Sequence, residues 1–146
     1  MQLLLFQTGG RLLALPAREV REVLLRPFLT RRGDEPPWLE GFFRLEGEPV
    51  GVLRSDRILG QGVEDSRTLY THLIVLRAEP IALSIERARE VLAVSSEQLE
   101  PPEPPPHPAV AATVVTPTQR MPLVSSRRLL DDEQRGELRR RAGEHL

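Results

Sequence analysis

Short apolar runs recur along the chain, separated by Gly, Pro and charged residues. Leu3-Leu4-Leu5-Phe6 is followed by Gly9-Gly10 and by Arg11 to Leu15, which stops at Pro16. Apolar run, Gly-Gly, apolar run predicts a β-hairpin. Val20 to Leu25 is a third strand candidate, although its Val20/Glu22 and Arg21/Val23 pairs equally suit one helical turn. Arg31 to Pro37 is a polar loop, and Trp38-Leu39-Glu40 reads as a short helical turn. Gly41 to Leu45, Gly47-Glu48 and Val50 to Leu53 predict a second hairpin. Ser55 to Gly60 predicts a short helix, capped by Ser55 and stopped by Gly60. A polar connection over Gln61 to Arg67 leads to His72–Leu76, a strand of the buried type, and to Ile81–Ile85 after Glu79-Pro80.

The segment Pro101 to Pro108 holds six prolines in eight residues. Proline lacks the N–H that helices and central strands need, so an extended surface connection is expected. Val110–Val115 and Met121–Val124 form the last strand pair. Residues 131–146 form a polar, Arg/Glu-rich tail. Asp131 or Asp132 caps a helix there, and Glu137 supports it by preceding Arg141 at i,i+4 spacing. Gly136 and Gly143 weaken that helix, so its end should fray.

The chain also repeats itself. Leu-Ala-Leu-Pro-Ala-Arg-Glu-Val-Arg-Glu-Val-Leu from Leu13 and Ile-Ala-Leu-Ser-Ile-Glu-Arg-Ala-Arg-Glu-Val-Leu from Ile81 share six of twelve positions. Val50 to Leu59 is echoed by Met121 to Leu130 in the same order. Each half reads strand, turn, strand, loop, hairpin, short helix. The expectation is one domain over 1–146, made of two similar β subdomains at about 9–67 and about 68–134. Units of that size are weakly stable alone, and a shared apolar interface is the remedy. In a strand Phe42 and Phe43 point to opposite faces. One faces a core; the other packs on the sister unit or stays available to a partner.

Composition narrows the function. The 146 residues are 40% hydrophobic, with 20 basic and 21 acidic residues and a net charge of −1. That balance speaks against a dedicated nucleic-acid binder or a polybasic membrane binder, which need a strong positive field. All the basic residues are Arg, which form bidentate carboxylate pairs more readily than Lys. Cysteine is absent, which excludes disulfides and thiolate chemistry. No apolar run approaches the roughly 20 residues of a membrane-spanning helix. Met1 to Phe6 lacks the basic region and length of a signal peptide, so a cytoplasmic address is expected.

Candidate chemistry is sparse. His72, His107 and His145 have no ligand-type residue at metal spacing, and no metal or cofactor is expected. No phosphate-cradling loop or nucleophile elbow occurs, and Ser95-Ser96 and Ser125-Ser126 lack an identifiable base. Catalysis is not expected. Arg31-Arg32, Arg127-Arg128 and Arg139 to Arg141 read as solvated faces, without aromatic interleaving for base stacking.

The order of these motifs, over about residues 3–134, resembles the CheW family of chemotaxis adaptors. Residues 13–23 resemble its apolar-Ala-apolar-Pro … Val-x-Glu-Val segment. Residues 39–54 lie where the family has a Gly-(two apolar)-x-Leu-Arg-Gly hairpin and a Pro-Val-apolar-Asp-Leu strand. Residues 81–92 resemble its second Val-x-Glu-Val segment, Gln98-Leu-Glu-Pro-Pro the loop after it, and Val124 to Leu130 the turn into a C-terminal helix. The resemblance implies a mainly β fold: two small five-stranded β-barrels packed on each other, short helices and a C-terminal helix. It implies a non-catalytic adaptor, recruited to membrane receptor arrays through its partners. Those partners are the regulatory domain of a CheA-type histidine kinase and the cytoplasmic tip of a chemoreceptor, bound by helix-in-groove recognition. Val20, Glu22, Leu29, Gly41, Glu46 and Val91 occupy the receptor-groove positions; for the apolar ones plain core is the other reading. A diverged β-barrel module binding a ligand or nucleic acid is the competing class.

The chain departs from the family at four positions, two of them mild or charge-losing changes of second-half aspartates to Glu86 and Ser125. Glu46 stands for the family's Arg and Arg54 for its Asp. Glu22 then faces Glu46, an unfavourable like-charge pair. Arg44, two residues before Glu46, is expected on the same strand face and could neutralise it. Partner specificity is either re-keyed by this exchange or lost.

Overall fold

The apolar runs read as strands all pair with neighbours. The computed structural model describes residues 1–58, 70–104 and 107–145; the expected Gly60 stop, the 61–67 connection, and residues 105 and 106 of the proline tract lie outside them. Strands β1 (Gln2–Thr8) and β2 (Arg11–Pro16) form the first hairpin. β3 (Val20–Leu25) is extended, which settles its ambiguity in favour of strand. β4 (Leu39–Leu45) and β5 (Glu48–Arg54) form the second hairpin. Leu39 and Glu40 belong to β4 rather than to a helical turn, because Leu39 pairs with Leu53 across the hairpin. The short helix α1 (Ser55–Ile58) follows. Then come β6 (His72–Leu76), β7 (Ile81–Ile85), β8 (Arg87–Ala93), β9 (Leu99–Glu100), β10 (Val110–Val115), β11 (Arg120–Val124) and the helix α2 (Asp132–Glu144).

The strands build two sheets, ordered β8-β1-β2-β11-β10-β9 and β3-β6-β7-β5-β4. The repeat reappears here strand for strand: β8, β1, β2, β11 and β10 stand in one sheet as β3, β6, β7, β5 and β4 stand in the other. The sheets are not the two halves of the chain, however. Residues 2–16 sit with 87–124, and 72–85 sit with 20–54. A boundary near residue 68 therefore divides the repeats but not the sheets, because each repeat gives its opening hairpin to the other sheet. Pro16, which has no N–H, ends β2, and a 3-10 turn at Ala17–Glu19 carries the chain across.

Both sheets roll. The segment leaving β3 returns to β4, where Thr30 and Phe42 exchange backbone hydrogen bonds of 2.7 and 3.0 Å. In the other sheet β8 leads, through a 3-10 turn at Ser96–Gln98, to the two-residue β9 on the opposite edge. That turn compacts the link, which is too short to cross a flat six-stranded sheet of neighbours about 4.8 Å apart. Rolling creates three apolar layers. Leu3, Leu5, Ala14, Val114 and Met121 fill the inside of one sheet. Phe43, Val50, Val52, Leu73, Val75 and Ala82 fill the other. Between the sheets lie Leu4, Phe6, Leu13, Leu15, Ile74, Leu76, Leu83 and Ile85. Strict alternation assigns each residue: Leu3 and Leu5 inside, Leu4 and Phe6 between. Phe43 takes the interior, and Phe42 on the opposite face lies against the C-terminal helix, beside Gly51 and the His145 ring.

α2 begins with a capping box. Asp131 accepts the Gln134 N–H at 2.8 Å, and the Gln134 side chain accepts the Asp131 N–H at 2.9 Å. The helix lies on the five-stranded sheet by one buried apolar residue, Leu138. Gly51 makes room for it: a Cβ there would lie 2.6 Å from Leu138 Cδ1. The Glu137–Arg141 pair forms at 3.2 Å.

Two stability predictions follow from buried features of the five-stranded sheet. Gly41 has φ of +154°, and a Cβ there would stand 2.7 Å from the Thr30 carbonyl oxygen. Gly41→Ala is expected to lower stability by about 1–3 kcal/mol in urea unfolding with the fold retained; an unchanged midpoint would show that the bulge relaxes freely. Glu40 is 8% exposed and forms an ion pair with Arg26, which also donates to Ser84 Oγ at 3.1 Å. Arg26→Met strands that carboxylate and should cost about 2 kcal/mol, less than a fully buried pair because Arg26 is partly solvated. The Arg26→Met/Glu40→Leu double variant should recover most of the loss; equal instability of both variants would contradict this account.

Candidate functional site

Among the described residues, the exposed large apolar ones apart from Met1 belong to the edge strands and the segment after β3. Val23, Leu25 and Phe28 are 38%, 73% and 90% exposed, and Val91 on β8 is 57% exposed. Val23 and Val91 are equivalent in the repeat, and each follows a glutamate, Glu22 or Glu90. The register explains their exposure. Val23 stands opposite Ile74 and Val91 opposite Leu4, both in the layer between the sheets. On edge strands such side chains overhang that layer instead of filling it.

The predicted site residues fall into distinct groups. Val20 is half-buried against the inter-sheet layer. Leu29 and Gly41 meet inside the five-stranded sheet, where a Cβ on Gly41 would lie 3.3 Å from Leu29 Cβ. Leu29 is therefore core, and Gly41 is required by the close approach of Thr30. Glu22 and Glu46 do come together, but the cation between them is not Arg44. Arg21 Nη2 lies 2.8 Å from Glu46 and its Nε 3.9 Å from Glu22. The expectation that Arg44 shares the face of Glu46 fails because Glu46 sits in the turn with φ of +52°, outside the alternation of β4. Arg44 instead donates to the carbonyl oxygens of Gly47 at 2.9 Å and His145 at 2.5 Å. Val91 belongs to the other sheet, apart from the Arg21 cluster.

Arg54 occupies a separate polar cluster at the end of β5. Its guanidinium lies 3.5 Å from the buried Asp56 carboxylate and 6.0 Å from the centre of the Tyr70 ring. Beside it, Ser55 hydrogen-bonds Thr8 at 2.6 Å and donates to the Ser84 carbonyl at 2.5 Å. Ser55 thus ties α1 to both sheets. These hydroxyl contacts and the Arg26–Glu40 pair were not read from the sequence; only burial, which rolling decides, singles these residues out.

A cleft of about 830 Å³ lies where α2 begins, lined among others by Trp38, His107, Arg127, Arg128, Asp131 and Asp132. Its two exposed arginines stand against two aspartates, so it carries no strong net charge. Burial lowers the His107 pKa, and its Nδ1 accepts the Ala109 N–H at 3.0 Å. Among the described residues, no Ser, Thr or Cys lines this cleft. Among the described residues, no three His, Asp or Glu side chains group as metal ligands. No described helix is long and apolar enough to cross a membrane.

Tyr70 is the one tyrosine of the chain, so its titration is directly observable. Burial, reinforced by the Asp56 carboxylate, pushes its phenol up to about 12. A raised pKa favours the protonated form in the folded state, so this contribution is present below the unfolded value of about 10 and is lost as pH rises toward 12. Tyrosinate absorbance should therefore rise near pH 12 in the native protein and near pH 10 in urea. Coincident midpoints would mean that the phenol is solvated.

Comparison with known proteins agrees with this architecture. The sequence matches no curated protein significantly. A solved structure, the scaffolding protein TtCheW from Thermoanaerobacter tengcongensis, superposes with a TM-score of 0.76 over 85% of this chain and 88% of that one, at 19% identity. That likeness establishes the shared fold. The sequence signature of the CheW-like domain matches residues 2–134, and the chain accordingly belongs to the CheW-like domain family.

Proposed function

We propose that this protein is a non-catalytic adaptor that couples chemoreceptor tips to a CheA-type histidine kinase. The observation that carries the reading is the pair of equivalent edge strands, β3 and β8, each presenting exposed apolar residues in a chain of the CheW-like family. Unpartnered apolar side chains flanked by charges are what a protein–protein contact buries. Two related edges on one molecule suit a protein that bridges partners. Val20, Glu22, Glu46 and Val91 contribute to partner contact in this reading. Leu29 and Gly41 act as core of the five-stranded sheet in this reading.

The Arg21–Glu46 pair favours altered specificity over lost binding. The family's turn arginine is a glutamate here, and Arg21 on β3 supplies the cation. An ionic link between β3 and the β4–β5 turn is kept with its polarity reversed. A partner that reads this corner meets an acidic turn where relatives offer a basic one. Arg54 lies in the separate Asp56 cluster and acts there by holding the end of β5.

Calorimetric titration of the full chain against the kinase regulatory domain and the receptor tips of its own genome tests the proposal. Saturable micromolar binding to both classes is expected near physiological salt. Glu46→Arg should weaken the partner that uses this corner about tenfold, a change of about 1.4 kcal/mol. Arg21→Glu combined with Glu46→Arg should restore the internal pair without restoring that affinity, because the turn stays basic. Absence of binding by the folded protein would remove the adaptor role, and unchanged affinity of Glu46→Arg for every partner would remove the specificity argument.

A further inference from the structure

The β4–β5 turn that carries Glu46 is tied to the C-terminal end of α2. Arg44 makes the tie, since one guanidinium spans the carbonyls of Gly47 and His145. The His145 ring packs on Phe42 with 4.4 Å between centroids. Besides Ala142, which packs partly buried against the central apolar layer, the last turns are held by charge. Arg141 lies 3.1 Å from Asp34, and Arg32 lies 3.3 Å from Glu144. Asp34 is 75% exposed, and Arg32 and Glu144 are about half exposed.

The two ends of α2 differ. Its first turns are fixed by the capping box, by Leu138 against Gly51, and by Arg135, which reaches Glu79 at 3.0 Å and the carbonyls of Leu130 and Arg127. Arg135 and Arg141 are each 15% exposed, but the Asp34 partner of Arg141 is 75% exposed against 35% for the Glu79 partner of Arg135. Beyond Leu138 the sequence Arg139 to Glu144 holds one apolar residue, Ala142, and a helix-weakening Gly143. Exposed ion pairs are weak and screened by salt, whereas Leu138 and the capping box are not.

We propose that the C-terminal half of α2 is a salt-releasable strap: it detaches from the β4–β5 hairpin while the first turns stay docked, and its detachment loosens the turn that carries Glu46. Leu138 is the pivot. Arg44 transmits the state of the strap, because it loses the His145 carbonyl on release and no longer braces Gly47 against the helix. Where the adaptor reading holds, the strap tunes how firmly the acidic turn is presented to a partner.

Hydrogen exchange on the full chain tests this directly. Raising NaCl from about 20 mM to about 500 mM should speed exchange of the amides of residues 139–145 about tenfold. The 46–48 turn should follow, while β1, β2, β6 and β7 change less than about twofold. The Arg32→Glu/Arg141→Glu variant should show the same fast exchange at low salt. Exchange at 139–145 that ignores salt, or that speeds up without any response at 46–48, overturns the proposal. Calorimetry with the same variant separates the two readings. A changed affinity supports regulation by the strap, and an unchanged affinity with a loosened α2 overturns it. If neither wild type nor variant binds any partner, the adaptor reading fails, and exchange alone decides the strap.

Discussion

Strands β1, β2, β6 and β7 are apolar on both faces, and a strand of that kind is stable only with a covering layer on each side. A single rolled sheet of this size covers one face. The second face needs another sheet, so the inter-sheet layer of Leu4, Phe6, Leu13, Leu15, Ile74, Leu76, Leu83 and Ile85 is a condition for either sheet to exist. The exchange of opening hairpins strengthens that dependence. Because residues 2–16 pair with the second half of the chain and 72–85 with the first, neither sheet can be completed from one repeat. The halves are bound by strand pairing as well as by contact, and opening the interface would break hydrogen bonds along β8-β1 and β3-β6.

The same requirement decides where the surface is unfinished. The doubly covered strands occupy the middle, so β3 and β8 are pushed to the edges and only partly overlap the inter-sheet layer. Their alternating sequence fits that place: Leu24 and Leu92 turn inward while Val23, Leu25 and Val91 face out. The apolar residues available to a partner therefore follow from the core's geometry. A surface that derives from the repeat appears twice, which is the arrangement a bridging protein requires.

The sequence made much of this visible. Hairpins at Gly9-Gly10 and Gly47-Glu48, the repeat at Leu13 and Ile81, the opposed Phe42 and Phe43, and a helix cap at Asp131 or Asp132 are local or periodic signals. What was missed depends on relations between distant segments. Hairpin exchange leaves no trace in periodicity, because β1 pairs equally well with apolar strands of either repeat. The Arg26–Glu40 pair and the Thr8–Ser55 contact look like ordinary polar residues until rolling buries them. At the candidate site, the meeting of Glu22 and Glu46 was legible. Its cation was not, because strand alternation placed Arg44 beside Glu46 while the left-handed backbone of Glu46 turned it toward Arg21. The role of Arg44 needed the position of α2, which one leucine and a glycine on β5 determine.

These layers explain why recognition can change while the fold persists. The exposed Arg21–Glu46 pair contributes little to the free protein, on the order of 0.2–1 kcal/mol for a surface ion pair. Reversing its polarity relative to the family therefore costs almost nothing in stability. Desolvated inside a complex, the same charges discriminate strongly between a basic and an acidic partner. Leu29 and Gly41 are placed differently: they are buried inside the five-stranded sheet, toward the end of β4 remote from the Glu46 turn, and changes there perturb the rolled sheet itself. Under the adaptor proposal, the exchange at Glu46 changes the charge that the turn offers a partner, while the buried residues that shape the sheet are untouched.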